Sequence, residues 1–127
     1  MSHSFEDAVN AIMQKHDEYA PDAYDFLRQA LDTAVHQYKK GEQNRHLTAE
    51  ELYMGVCYLA LEEYGPLART VLQYWGINDG RDVGQIVFYL IEAGVFGKQE
   101  DDSIEQFYRL PKLSGMLDAP YLPQHCA

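Results

Sequence analysis

The chain has 127 residues, a length that fits one domain able to bury roughly two thirds of its unfolded surface. Ten Lys and Arg stand against 20 Asp and Glu, and the formal net charge of -10 repels phosphate backbones, so nucleic acid is not the expected partner. Cys57 lies in an apolar helical run and Cys126 beside the C-terminus, which argues against a disulfide framework and fits a reducing cytoplasm. No run reaches the ~18 apolar residues of a membrane span, and the first residues lack the basic and apolar regions of an export signal.

Ser4 followed by Glu6 and Asp7 reads as a cap with an acidic first turn. Phe5, Val9, Ile12 and Met13 then recur at helical spacing, which predicts a first helix over about 4–18. Pro21 opens a second helix in which Tyr24, Leu27, Leu31, Val35 and Tyr38 form one stripe, and Lys39, Lys40 and Gly41 end it. Thr48 and Glu51 have capping-box spacing, so a third helix should run from Ala49 towards Tyr64. Its stretch from Leu52 to Leu61 is apolar almost all round, the pattern of a central helix.

Gly65 and Pro66 break that helix and open a shorter fourth, "PLARTVLQYW", which Gly76 closes. Asp82 with Gln85 is a capping-box variant that predicts a fifth helix, with Val83, Ile86, Val87, Leu90 and Ile91 on one broad face and Gly94 at its end. The third and fifth helices are expected to pack on each other, each being too apolar for a surface position. Residues 95–110 read either as two short strands around the acidic tip "QEDD" or, with Ser103 and Gln106 as a cap, as one more helical turn. From Pro111 onward three prolines and scattered apolar residues fit neither period, which predicts an extended tail. The fold class is thus mainly α: a compact bundle of five principal helices over 1–110, with winged-helix-like order in 66–98, a small hairpin or helical turn after the fifth helix, and a tail over 111–127.

The stretches "DAYDFLRQAL", "LTAEELYMGVCYLALEEYGPLARTVLQYWGI", "DVGQIVFYLIEAGVFGK" and "EDDSIEQF" resemble a family of short bacterial proteins of uncharacterised role whose members carry a locus-tag name beginning Minf. The similarity covers residues 19–107. The resemblance implies a small bacterial single-domain protein and carries no activity with it. Where that family is expected to finish near a Tyr-Asp-Phe, this chain has "FYRLPKLSG".

Chemistry-bearing constellations are sparse. A DNA-reading second helix needs cations at base edges and phosphates, whereas the helix over 82–94 carries Gln85 and no Lys or Arg, with Arg69, Arg81 and Lys98 interspersed among Asp79, Asp82, Glu92, Glu100, Asp101 and Asp102. Asp32 and His36 share a helical face and could offer two metal ligands, joined by His46 or Glu50, but zinc wants three or four and a solvated ion pair is the plainer reading. Cys57 sits mid-helix without a base to lower its pKa. Glu62 and Glu63 point about 100° apart and read as a solvated helix end. "KHDEY" at 15–19 reads as a polar helix end, and "QEDD" lacks the ligand series of a calcium loop. No cofactor is expected.

What remains is aromatic abundance: ten Tyr, five Phe and one Trp. Tyr and Trp are enriched at protein interfaces because they add large apolar area with few rotatable bonds. The sequence therefore points to a self-associating protein-interaction or regulatory module. Its candidate contact residues are Tyr64, Tyr74, Trp75, Tyr89, Leu117, Tyr121 and Leu122, with a second copy or another protein as partner. Leu113, Met116, Leu117, Tyr121 and Leu122, stiffened by Pro111, Pro120 and Pro123, are expected to dock on this chain's aromatic groove or on that of a second copy. A DNA-binding regulator is the second reading, and a small enzyme or metal protein the third.

Overall fold

The computed structural model describes residues 5–39, 41, 47–95 and 104–118. They are mainly helical: α1 Phe5–Lys15, α2 Pro21–Tyr38, α3 Ala49–Tyr64, α4 Ala68–Tyr74, α5 Gly80–Glu92, α6 Ile104–Tyr108 and α7 Leu113–Asp118, with a 3-10 turn, Gly65–Leu67, between α3 and α4. No strand occurs among the described residues.

α3 is the central helix that its all-round apolar pattern predicts, with neighbours in α2, α4, α5, α6 and α7. Thr48 caps it: its hydroxyl accepts from the Glu51 amide at 3.0 Å, while the Thr48 amide donates to Glu51 Oε1 at 2.9 Å. Its principal partner is α2, and it meets α5 over only a small area, so the expected α3–α5 pairing is not the main seam. At Gly55 a methyl group would lie 2.8 Å from the Ala34 Cβ and 3.0 Å from the Ala30 carbonyl oxygen, so α2 approaches α3 at near-backbone distance.

α5 instead packs on α6, α2 and α1. It begins one turn earlier than expected, because Asp79, rather than Asp82, is the cap. The Asp79 side chain accepts from the Arg81 amide at 2.9 Å, and Asp82 is the residue that reaches back, accepting from the Asn78 amide at 2.8 Å and the Asp79 amide at 3.3 Å.

The predicted hairpin divides into two parts. Residues 96–103, which include its acidic tip and Lys98, lie outside the described residues. Residues 104–108 form helix α6 where a second strand is one of the two expectations. Phe107 of α6 is buried at 4% exposure on α5, where Gly84 has no side chain. A Cβ at Gly84 would fall 2.8–2.9 Å from the Phe107 side chain, so Gly84→Ala must displace α6 and is expected to cost ~1–3 kcal/mol. Urea unfolding monitored by circular dichroism measures it, and an unchanged midpoint would mean that Phe107 is not seated there.

The expected extended tail is also corrected in part. Residues 113–118 form α7, and Leu113 and Leu117 are buried at 1% and 2% exposure against α3 and α4 of their own chain. The Tyr53 hydroxyl donates to the Pro111 carbonyl, and Arg69 Nε lies 2.7 Å from Asp118 Oδ2. The apolar anchors of this stretch are four residues apart, so one helical turn brings both onto the core. Residues 119–127, including Tyr121, Leu122 and Cys126, lie outside the described residues.

Candidate interaction face

α4 is short and two-faced. Ala68 and Leu72 are fully buried, whereas Leu67, just before the helix, is 63% exposed and Tyr74 is 87% exposed. Leu67 and Tyr74 are two helical turns apart, with half-buried Val71 between them, so the three side chains form one stripe on the solvent side. An exposed Leu and an exposed Tyr on one stripe are not explained by the domain's own packing.

Chain connectivity ties the stripe to an aromatic layer, Trp75 following Tyr74 and Tyr64 standing three residues before Leu67. Phe26 of α2 is buried, and over it lie half-buried Tyr64 and Trp75 with ring centroids at 6.2 and 5.5 Å. Tyr64 and Trp75 meet edge-on at 5.8 Å. The layer is held in place by the turn after α4, since the Ala20 amide donates to the Trp75 carbonyl at 3.0 Å. Carboxylates rim it. Partial burial and the negative charges of Glu63, Asp22 and Asp25 push the Tyr64 hydroxyl above its ordinary range. Asp25 is engaged by Arg28 and Gln29, both at 2.8 Å. Asp22 and Glu63 are exposed and form no ion pair among the described residues. Beside this rim, Asp32, Thr33, His36, Gln37, Tyr58, Leu59 and Glu62 line an open groove of about 420 Å³ between α2 and α3.

A second polar cluster joins the α1–α2 linker to α5. The Tyr19 hydroxyl donates to Asp82 Oδ1 at 2.7 Å, the Tyr89 hydroxyl donates to Glu18 Oε2 at 2.5 Å, and His16 stacks on Tyr89 at 4.0 Å. Donation from Tyr89 holds the Glu18 carboxyl below the usual carboxylate range. A shallow cavity of about 250 Å³, lined by Ala11, Ile12, Lys15, His16, Tyr89, Glu92 and Ala93, opens beside it. The Tyr24 hydroxyl is buried nearby without a hydrogen-bond partner. The hydroxyls of Tyr19 and Tyr89 are committed to neighbouring carboxylates, an arrangement that fastens two segments together.

The interface candidates therefore separate. Tyr74 is on the open surface, and Tyr64 and Trp75 are half-buried beside it. Tyr89 at 7% and Leu117 at 2% exposure belong to the core and are corrected to structural residues. Leu67 is absent from the candidates drawn from the sequence, although its spacing of four and seven from Val71 and Tyr74 is a legible stripe. No three His, Cys, Asp or Glu side chains among the described residues are grouped to hold a metal ion, and none of these helices is long and apolar enough to cross a membrane. Cys57 is buried, and desolvation pushes its thiol up to about 12, so it is not an activated nucleophile. Comparisons with protein-family models, curated proteins and solved structures return no match.

Burial has a consequence at high pH. It is the largest cause raising Tyr24 to about 12 and Cys57 to about 12, and it raises Tyr19, Tyr53 and Tyr89 as well. Below the ordinary values of 9.0 for the thiol and 10.0 for the phenols, both folded and unfolded chains keep these protons, and their contribution is fully present. Above them the unfolded chain ionises first, binds fewer protons and is lowered in free energy relative to the folded chain, so stability falls until the folded-state values are reached. Urea midpoints are expected to show no loss from these groups up to about pH 9 and a steep fall beyond about pH 10. A flat profile to pH 11 would contradict the burial of these hydroxyls.

Proposed function

We propose that the protein is a non-catalytic interaction module that recognises another protein through the outer face of α4. The observation that carries this reading is Tyr74 at 87% exposure beside Leu67 at 63%, set against the Phe26–Tyr64–Trp75 layer. Aromatic anchors next to a half-buried aromatic layer, ringed by polar groups, have the anatomy of an interface centre. A bacterial origin, which the sequence resemblance implies, and a cytoplasmic setting, which the cysteine usage fits, belong to the same reading.

Self-association by exchange of C-terminal segments has less support, since Leu113 and Leu117 already meet α3 and α4 of their own chain. Against a winged-helix regulator stand the Phe107 ring seated on Gly84 of the would-be recognition helix, the Arg81 guanidinium held 4.6 Å over the Tyr108 ring, and the flanking Asp79 and Asp82.

Quantitative co-purification tests the reading. A tagged full chain and its Leu67→Ser/Tyr74→Ser variant, matched in melting temperature, are expected to differ in one stoichiometric companion that the variant loses. Identical companion sets would remove the α4 face from consideration.

A further inference from the structure

Resting on that reading, we propose that the partner presents a cationic amphipathic helix, with apolar side chains seated on Leu67, Tyr74 and Trp75 and Lys or Arg side chains reaching Asp22 and Glu63. The argument is charge complementarity around a defined apolar centre. Leu67 and Tyr74 offer exposed apolar area on a single helical stripe, and Tyr64 with Trp75 extends it inward. The cations nearest this surface on α2 and α4 are already engaged: Arg28 with Asp25 at 2.8 Å and over the Phe5 ring at 4.6 Å, and Arg69 with Asp118 at 2.7 Å. Asp22 and Glu63 are exposed and form no ion pair among the described residues. The chain as a whole carries a net charge of -10, so an acidic partner, a second copy included, meets repulsion at this rim, while a basic one is steered towards it. A helix laid across a short helix meets the stripe with residues at i, i+4 and i+7, and its flanking positions then face the carboxylates.

Trp75 is the single tryptophan of the chain and lies within the proposed contact, so its fluorescence reports binding directly. The probes are two synthetic amphipathic peptides without tryptophan, each of about 18 residues, or five turns. Both have the same leucine face; one carries Lys and the other Glu on the polar face. Titrated into the full chain, the Leu/Lys peptide is expected to change Trp75 emission saturably and to bind more weakly as salt rises, while the Leu/Glu peptide gives no saturable change. Leu67→Ser/Tyr74→Ser is expected to lose at least about tenfold in affinity. Asp22→Asn/Glu63→Gln should bind more weakly and with a shallower salt dependence, and unchanged melting shows that both variants remain folded.

Equal binding of the two peptides, abolished by Leu67→Ser/Tyr74→Ser, would overturn the cationic partner while leaving the α4 face as a recognition surface. A full-length dimer dissociated by Tyr74→Ser, with neither peptide bound, would overturn it in favour of a second copy. The absence of any binding or association that depends on Leu67 and Tyr74 would overturn both the inference and the reading beneath it.

Discussion

Leu90→Ala is expected to destabilise the protein by ~2–5 kcal/mol, a large share of the ~5–15 kcal/mol by which a domain of this size is stable. Leu90 is fully buried in α5, and its carbonyl accepts from the Val95 amide at 2.9 Å just beyond the helix end. Removing the isobutyl group leaves a cavity among large neighbours of the same core, which includes fully buried Ile86 and Tyr24 and cannot close over the gap without moving a helix. Phe88, two residues earlier and 47% exposed, is the internal control, and Phe88→Ala should change stability far less. Chemical denaturation of the two variants separates burial from hydrophobicity, and equal midpoints would contradict the assigned face of α5.

Ending the chain at Leu110 is expected to have the largest effect of all. It deletes Leu113 and Leu117, exposed to only 1% and 2%, each comparable to a buried Leu→Ala at ~2–5 kcal/mol. It also removes the Pro111 carbonyl that accepts from the fully buried Tyr53 hydroxyl, leaving that group unsatisfied at a further cost of ~1–3 kcal/mol, and it takes away the Asp118 partner of Arg69. Together these approach the whole stability of such a domain, so the shortened chain should be unfolded or barely folded at room temperature. A shortened chain that melts with the full-length protein would show that α7 contributes nothing to the core.

The elements up to α5 are legible in the sequence because each has a long enough periodic stripe or a side-chain stop signal: Thr48 with Glu51 at the head of α3, and Gly65–Pro66 at its end. α6 is legible only as the helical alternative to a second strand, and α7 not at all, for a physical reason. Helices of five and six residues give a 3.6-residue period too few repeats to show, and their stability comes from docking Phe107, Leu113 and Leu117, a tertiary effect. The Asp79 cap is obscured because Asp79 and Asp82 are both good caps and only the folded turn shows which one reaches back. The α2–α3 pairing turns on the absence of a side chain at Gly55, which hydrophobic patterning does not register.

The interaction candidates show the same divide. Counting aromatics finds Tyr74 and Trp75, but it cannot tell a tyrosine whose hydroxyl meets a carboxylate inside the fold, as Tyr89 does with Glu18, from one facing water. Leu67 escapes an aromatic count, although its seven-residue spacing from Tyr74 places it on the same stripe.

The most direct measurement of whether the α4 face is a recognition surface is site-specific photo-cross-linking in the native cell. A photoreactive phenylalanine analogue would replace Tyr74 in the full chain and, as a control, exposed Gln14 on the far helix α1. A discrete protein adduct at position 74 that is absent at position 14, and lost when Leu67→Ser is added, is the expected result. Adducts of equal yield at both positions, or none at position 74, would contradict it.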